Sequence, residues 1–241
     1  MPKEFLSHPM IYRANKTMMS HGIPYKFNNY GFRCDDFDNW QNHKYRIIFV
    51  GGSVTEGMGL HLEHCWAKIL HQKICDELNY NIPYWNLAVA GASTDHVARY
   101  LYTTGGMLQP HIIISWLPPI ERRELYNSDF WAPALSDNKG LTKVLIDKRY
   151  IDYQTEKNFA FINSMLEQWN SHFIYKAFCE NDEDAVDFGF ARMVNIKGLP
   201  EIKIEGDFAA DMAHAGPKTN RAIAENMFEN FCPIIKLKLN I

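Results

Sequence analysis

Short, uninterrupted apolar runs, each closed by a small or turn-forming residue, are what most constrain the fold of this chain. Arg46-Ile-Ile-Phe-Val-Gly51 is the clearest of them. A run this short, rich in β-branched and aromatic residues and ending in glycine, describes a strand buried on both faces. Tyr84-Trp-Asn-Leu-Ala-Val89, His111-Ile-Ile-Ile-Ser115 and His172-Phe-Ile-Tyr-Lys-Ala-Phe178 read the same way. Helical periods lie between and after them. Leu62, Trp66, Ile69, Leu70 and Ile74 mark one helix, and a second runs from about Thr94 to Met107. Phe159, Ile162, Leu166 and Trp169 mark a third, and Pro217 suits the first turn of a last helix running to Phe231. Strands alternating with helices predict an α/β fold in three layers, a parallel sheet with helices on both faces. Right-handed crossovers then bring the strand C-termini to one rim, where ligands of such folds bind.

The 241 residues, 46% of them hydrophobic, suit one packed domain. Residues 1–45 carry no clear period and read as an arm packed on a domain spanning 46–241. Residues 120–154 carry weaker signals, as a lid or insertion would. Glu180-Asn-Asp-Glu-Asp184 reads as a solvated loop. The tail Ile235-Lys-Leu-Lys-Leu-Asn-Ile241 alternates in the strand period. It is expected to pair with a sheet edge of its own chain or of a second copy, a route to a homo-oligomer. A net charge of −3 argues against broad binding to nucleic acid. No apolar run approaches the roughly 20 residues that cross a bilayer, so no membrane partner is expected. The N-terminus lacks the apolar stretch of a signal peptide. The five cysteines are scattered and fit a reducing compartment. Together these predict a cytoplasmic protein, with a virion-associated or non-classically exported location left open.

The strongest chemical signal is Gly51-Gly-Ser-Val-Thr-Glu-Gly57, directly after the first strand. Glycines there let the backbone turn sharply and leave Ser53 at the rim with its own N–H beside it. That supplies a nucleophile and one oxyanion donor. A phosphate-binding turn or a plain tight connection is the alternative. The second signal is Asp211-Met-Ala-His214, just before the last helix. A serine needs a base to take its proton, an imidazole does this near neutral pH, and a carboxylate must orient the imidazole. Asp211, three residues before His214, can fold back onto its ring. Taken alone, the pair reads rather as a helix-start aspartate and a surface histidine. His61, His64 and Cys65 lack a second ligand cluster, so no metal is expected, and no cofactor either.

Together these segments resemble the SGNH (GDSL-like) hydrolase family. Ser53 matches the serine of its first block and Asp211 and His214 its last. Asn86-Leu-Ala-Val-Ala-Gly91-Ala-Ser93 matches the second block at Gly91. Asn29-Tyr-Gly-Phe-Arg33 resembles the lead-in of some members. The resemblance covers about 28–120 and 205–230 and implies the family's flavodoxin-like sheet. It also implies an esterase in which Ser53 attacks, His214 carries the proton and Asp211 orients it. Ser53 and Gly91 would give oxyanion N–H groups. Gly52 stands where many members carry aspartate. The third block, which holds an asparagine that donates to the oxyanion, reads Ser115-Trp116-Leu-Pro-Pro-Ile-Glu-Arg122-Arg123. Trp116, Arg122 and Arg123 are therefore the residues expected to complete the site and bind substrate. The arginines could instead pair with Glu121 and Glu124, and Trp116 could be core. The expected substrate is a small-molecule or glycan ester with a short acyl group, above all acetate on a carbohydrate. Two alternatives remain open: an O-acyltransferase with the same residues, or a catalytically impaired binding or structural protein. A nucleotide-binding module fits less well, because the glycine pattern is not that of a phosphate loop.

Overall fold

A computed structural model of the protein describes residues 11–126, 131–133, 148–177, 189–196 and 202–241. The acidic run at 180–184 and most of 120–154 lie outside the described residues.

A five-stranded parallel sheet forms the middle layer. Numbered along the whole chain, its strands are β3 (Ile47–Gly51), β4 (Trp85–Asn86), β5 (Ile112–Trp116), β8 (His172–Lys176) and β9 (Met193–Asn195), in spatial order β4-β3-β5-β8-β9. Two antiparallel hairpins stand outside it, β1 (Thr17–Ser20) with β2 (Ile23–Lys26) and β6 (Glu124–Tyr126) with β7 (Trp131–Pro133). The helices are α1 (Ser53–Glu56), α2 (Trp66–Leu78), α3 (Thr94–Tyr100), α4 (Gly106–Leu108), α5 (Lys148–Trp169) and α6 (Pro217–Leu239). A π-helical stretch, Leu101–Gly105, joins α3 to α4.

Side chains of a strand alternate between its faces, and here each face has its own core. Ile48, Val50, Ile113, Phe173 and Tyr175 meet Val97, Leu101, Phe159, Ile162 and Leu166 from α3 to α5. Ile47, Phe49, Ile112, Ile114 and Ile174 meet Trp66, Leu70 and Ile74 of α2 and Ile223, Met227 and Phe231 of α6. Both faces are covered, which is why the strands read as continuous apolar runs rather than alternating ones. The three-layer α/β/α architecture is as expected.

Several boundaries differ from the sequence reading. The second strand is laddered only at Trp85–Asn86, although Leu87 and Val89 N–H still reach Phe49 and Gly51 carbonyls. Strand β9 was not legible: it is three half-buried residues at the sheet edge. The tail is not a strand. Helix α6 continues through Pro233 to Leu239, and Asn240 closes it in the left-handed region. Ile235 is fully buried against α2's side of the sheet, Leu239 packs beside it one turn on, and Leu237 is 70% exposed. The helical spacing of Ile235 and Leu239 prevails over the alternation, so no tail strand exists to join copies edge to edge. Among the described residues, no helix is long and apolar enough to cross a membrane.

Candidate active site

The chain leaves β3 through Gly51, whose φ of 152° few side-chain-bearing residues adopt. A Cβ there would sit 2.5 Å from Thr55 Oγ1 and 2.7 Å from the Trp116 carbonyl, so only glycine lets the turn pass the end of β5. Ser53 opens the single turn of α1, and its carbonyl accepts the N–H groups of Gly57 and Met58 at 3.0 Å. Buried Asn86 braces this turn by donating to the Thr55 carbonyl at 2.7 Å. A half-exposed hydroxyl on a fixed backbone results.

His214 and Asp211 come from a loop that closes on itself. Ala209 N–H meets the His214 carbonyl, Gly216 N–H meets the Asp207 carbonyl, and Phe208 bridges to Ala215. The Asp207 carboxylate accepts the Thr219 N–H at 2.6 Å, satisfying a first-turn donor of α6 that the helix leaves free. Within the loop, Asp211 Oδ1 accepts the N–H groups of Ala213 and His214 at 3.0 Å, and Oδ2 meets His214 Nδ1 at 2.7 Å. Burial alone would raise the Asp211 pKa, but these hydrogen bonds hold it below the ordinary aspartate value. With the Nδ1 proton facing Asp211, Nε2 is the acceptor, and Ser53 Oγ lies 2.9 Å from it. Ser53, His214 and Asp211 form one continuous hydrogen-bonded series across 161 residues of sequence.

The N-terminal arm fastens these two segments to each other. Buried Arg33 donates to the carbonyls of Gly57 at 2.7 Å and Leu60 at 2.6 Å, and its guanidinium stacks over Tyr25 at 3.7 Å. The Tyr25 hydroxyl accepts the Gly59 N–H at 2.6 Å. Gly59 in turn accepts the Ala210 N–H, and a Cβ on it would stand 2.9 Å from Asp211 Cγ. Asn28 shapes the lead-in by accepting the Tyr30 and Phe32 N–H groups. Glu56, 2% exposed, joins Arg13 at 2.9 Å to the Ala90 N–H at 2.6 Å. Of these, sequence reasoning singled out only Arg33 and, through block alignment, Asn86. A glutamate one turn after the serine was visible, but nothing in the pattern marked it as buried.

A cavity of about 570 Å³ opens beside Ser53 and His214. Its walls include Val54, Trp116, Leu117, Pro118, Pro119, Ile202, Ile204, Phe208 and Ile223, with Arg122 and Lys203 as its cations. Trp116 is thus both lining and core: it lines the cavity and packs edge-on against Trp66. Its Nε1–H is buried and finds no acceptor among the described residues. Arg122 reaches the cavity, and its guanidinium has no hydrogen-bond or ion-pair partner among the described residues. Arg123 does not join it. The Arg123 side chain is buried and donates to the carbonyls of Ile120, Arg122 and Ile151, beside a separate cavity near Arg99 and Tyr150. Nor does Glu124 pair with either arginine; it is bound by Arg99 at 2.5 Å and His96 at 3.0 Å. Gly91, with φ 80°, lies in the loop that Glu56 holds through Ala90. No cluster of three or more metal-ligating side chains occurs among the described residues, and Cys65 Sγ is taken up by the His61 carbonyl.

No protein-family model and no curated protein matches the sequence. Solved structures do match by shape. The family 3 carbohydrate esterase of Clostridium thermocellum is 14% identical over 80% of this chain and 98% of its own, with a TM-score of 0.55. The psychrotrophic esterase EstA from Pseudoalteromonas sp. is 16% identical over 79% of this chain and 98% of its own, at 0.52. TesA is 15% identical over 78% and 98%, at 0.51. Sheet order, crossover layers and these likenesses agree: the chain has the fold of the SGNH hydrolases.

Proposed function

We propose that the protein is a serine hydrolase of acyl esters. The observation that carries this reading is the hydrogen-bonded series from Ser53 Oγ through His214 to Asp211, set at the mouth of a cavity. As Ser53 Oγ bonds to the ester carbonyl carbon, its proton passes to His214 Nε2 and the carbonyl electron pair moves onto oxygen. That pair returns as the bond to the alcohol breaks, and the alkoxide takes the proton from Nε2. Water then repeats the sequence on the acyl-enzyme and releases the acid. Asp211 holds the tautomer and offsets the imidazolium charge. The N–H groups of Ser53 and Gly91 serve the oxyanion.

The substrate we favour carries a short acyl group, acetate on a carbohydrate. Trp116 and Phe208 put aromatic surface on the cavity wall, which suits the apolar face of a sugar ring, and one enzyme of the same fold is a carbohydrate esterase. Hydrolysis of p-nitrophenyl acetate against the octanoate, and deacetylation of acetylated oligosaccharides, test this. Faster turnover of the octanoate rejects the short-acyl assignment. The loop after β5 lacks the family asparagine, which favours a second reading, an impaired binding protein. Covalent labelling of Ser53 by a fluorophosphonate separates the two, because it requires an activated serine.

A further inference from the structure

Two departures from the SGNH pattern, Gly52 in place of aspartate and no asparagine after β5, meet at one point in space. A Cβ on Gly52 would stand 3.8 Å from Arg122 Nη1, and Gly52 is the residue before Ser53. The backbone does not require glycine here. Its φ of −98° suits any residue, and the other neighbour of that Cβ, Pro118, lies at an ordinary 3.7 Å. A carboxylate at this position would reach the guanidinium and neutralise it. With glycine, Arg122 is left without a partner among the described residues, beside the serine and at the cavity wall. The turn that carries it is held from behind: Arg122 N–H meets the Pro119 carbonyl at 3.1 Å, and buried Arg123 grips the Ile120 and Arg122 carbonyls. The held turn keeps Arg122 on the wall of the cavity that Ser53 and His214 also line, with its guanidinium next to Gly52.

We infer that Arg122 donates to the oxyanion in place of the missing asparagine, and that Gly52 keeps it free to do so. The inference rests on the serine-hydrolase reading. When Ser53 adds to the ester carbonyl, the carbonyl electron pair becomes an alkoxide, and an Arg122 N–H donates to that oxygen. The bond is retained until the pair returns and expels the alcohol, which leaves with the proton held by His214. A guanidinium gives donors in a planar fork, so one of its N–H groups can donate to the oxyanion.

Steady-state kinetics on p-nitrophenyl acetate and on mono-p-nitrophenyl succinate, with circular dichroism melting of every variant, test the inference. Arg122→Ala should lower kcat on both esters by about 10²–10³-fold, with KM within about twofold and an unchanged melting temperature. Arg122→Lys should recover part of the loss. Gly52→Asp should lower kcat as well, Gly52→Asn less, and Gly52→Asp added to Arg122→Ala should cost little more, because both act on one group. A wild-type kcat for Arg122→Ala on acetate, with KM raised only for succinate, overturns the inference and makes Arg122 a reader of substrate charge. Additive losses for the Gly52 and Arg122 variants overturn the role of Gly52. A wild-type protein that neither hydrolyses any ester nor takes a phosphonate at Ser53 removes the hydrolase reading itself, and the inference with it.

Discussion

Glu56 Oε2 accepts the backbone N–H of Ala90 at 2.6 Å, while its other oxygen is held by Arg13 at 2.9 Å. Glu56 shares the single turn of α1 with Ser53, and Ala90 precedes Gly91, so one buried carboxylate joins the serine turn to the loop after β4. Removing it strands a charged partner and a backbone donor. Glu56→Ala is therefore expected to cost about 3 kcal/mol in urea unfolding. Glu56→Gln keeps an acceptor for Ala90 and should retain more of the turnover than Glu56→Ala. Equal stability of Glu56→Ala and wild type would show that the bridge carries no weight.

Ser53→Ala, His214→Ala and Asp211→Asn should each abolish or nearly abolish ester hydrolysis. Losses of about 10⁴-fold or more are expected for the first two. Ser53→Ala should melt with the wild type, because its hydroxyl bonds only to His214 among the described residues. Because a base must be neutral to accept a proton, activity should fall on the acid side as imidazole charges. Asp211 is not the cause of that limb: its lowered pKa keeps the carboxylate ionised below the ordinary aspartate range. Retention of the wild-type rate and acid limb by His214→Ala would assign the base elsewhere.

Acid stability should depend on Glu124. Burial alone would raise its pKa, but the hydrogen bonds from His96 and Arg99 and the charge of Arg99 bring it down to about 2. An acid with a depressed folded pKa contributes stability that is complete above its unfolded value, about 4.3, and lost as pH falls through the folded one. The contribution is of order 3 kcal/mol. His96, kept neutral by burial, adds a loss of the same sign beginning below the ordinary imidazole value. Urea unfolding of wild type and Glu124→Gln across the acid range checks this. Parallel curves for the two proteins would deny Glu124 the role.

The tail offers a test by contrast. Ile235 is fully buried and Leu237 is 70% exposed, two residues apart on α6. Ile235→Ala should destabilise by about 2–5 kcal/mol, and Leu237→Ala by no more than about 0.5. The opposite order would restore the alternating, strand-like reading.

What the sequence made legible were features set by local pattern: the buried strands, the glycine turn at Ser53 and the short Asp211–His214 spacing. Ile235-Lys-Leu-Lys-Leu239 was misread because so short a segment satisfies both periods. Ile235 and Leu239 share a helical face as well as a strand face, and the helix runs on past Pro233 instead of ending at Phe231. Arg123 was misplaced for a different reason. Adjacent arginines share a motif position, but only the three-dimensional turn turns Arg122 to the cavity and Arg123 to carbonyl oxygens behind it. The contacts of Tyr25 and Arg33 with Gly57–Leu60 join segments distant in sequence and have no period to announce them.

His214 lies just ahead of α6, and α6 stays seated only while its apolar stripe covers the same sheet face as α2. A partial opening that lifted this last helix would carry the imidazole away from Ser53 and leave the central strands hydrogen-bonded. If the serine-hydrolase reading holds, turnover would thus report on C-terminal docking. On gentle heating or in mild denaturant ester hydrolysis should vanish before the sheet's circular dichroism signal changes, so that the proposed activity is lost while most of the chain is still folded.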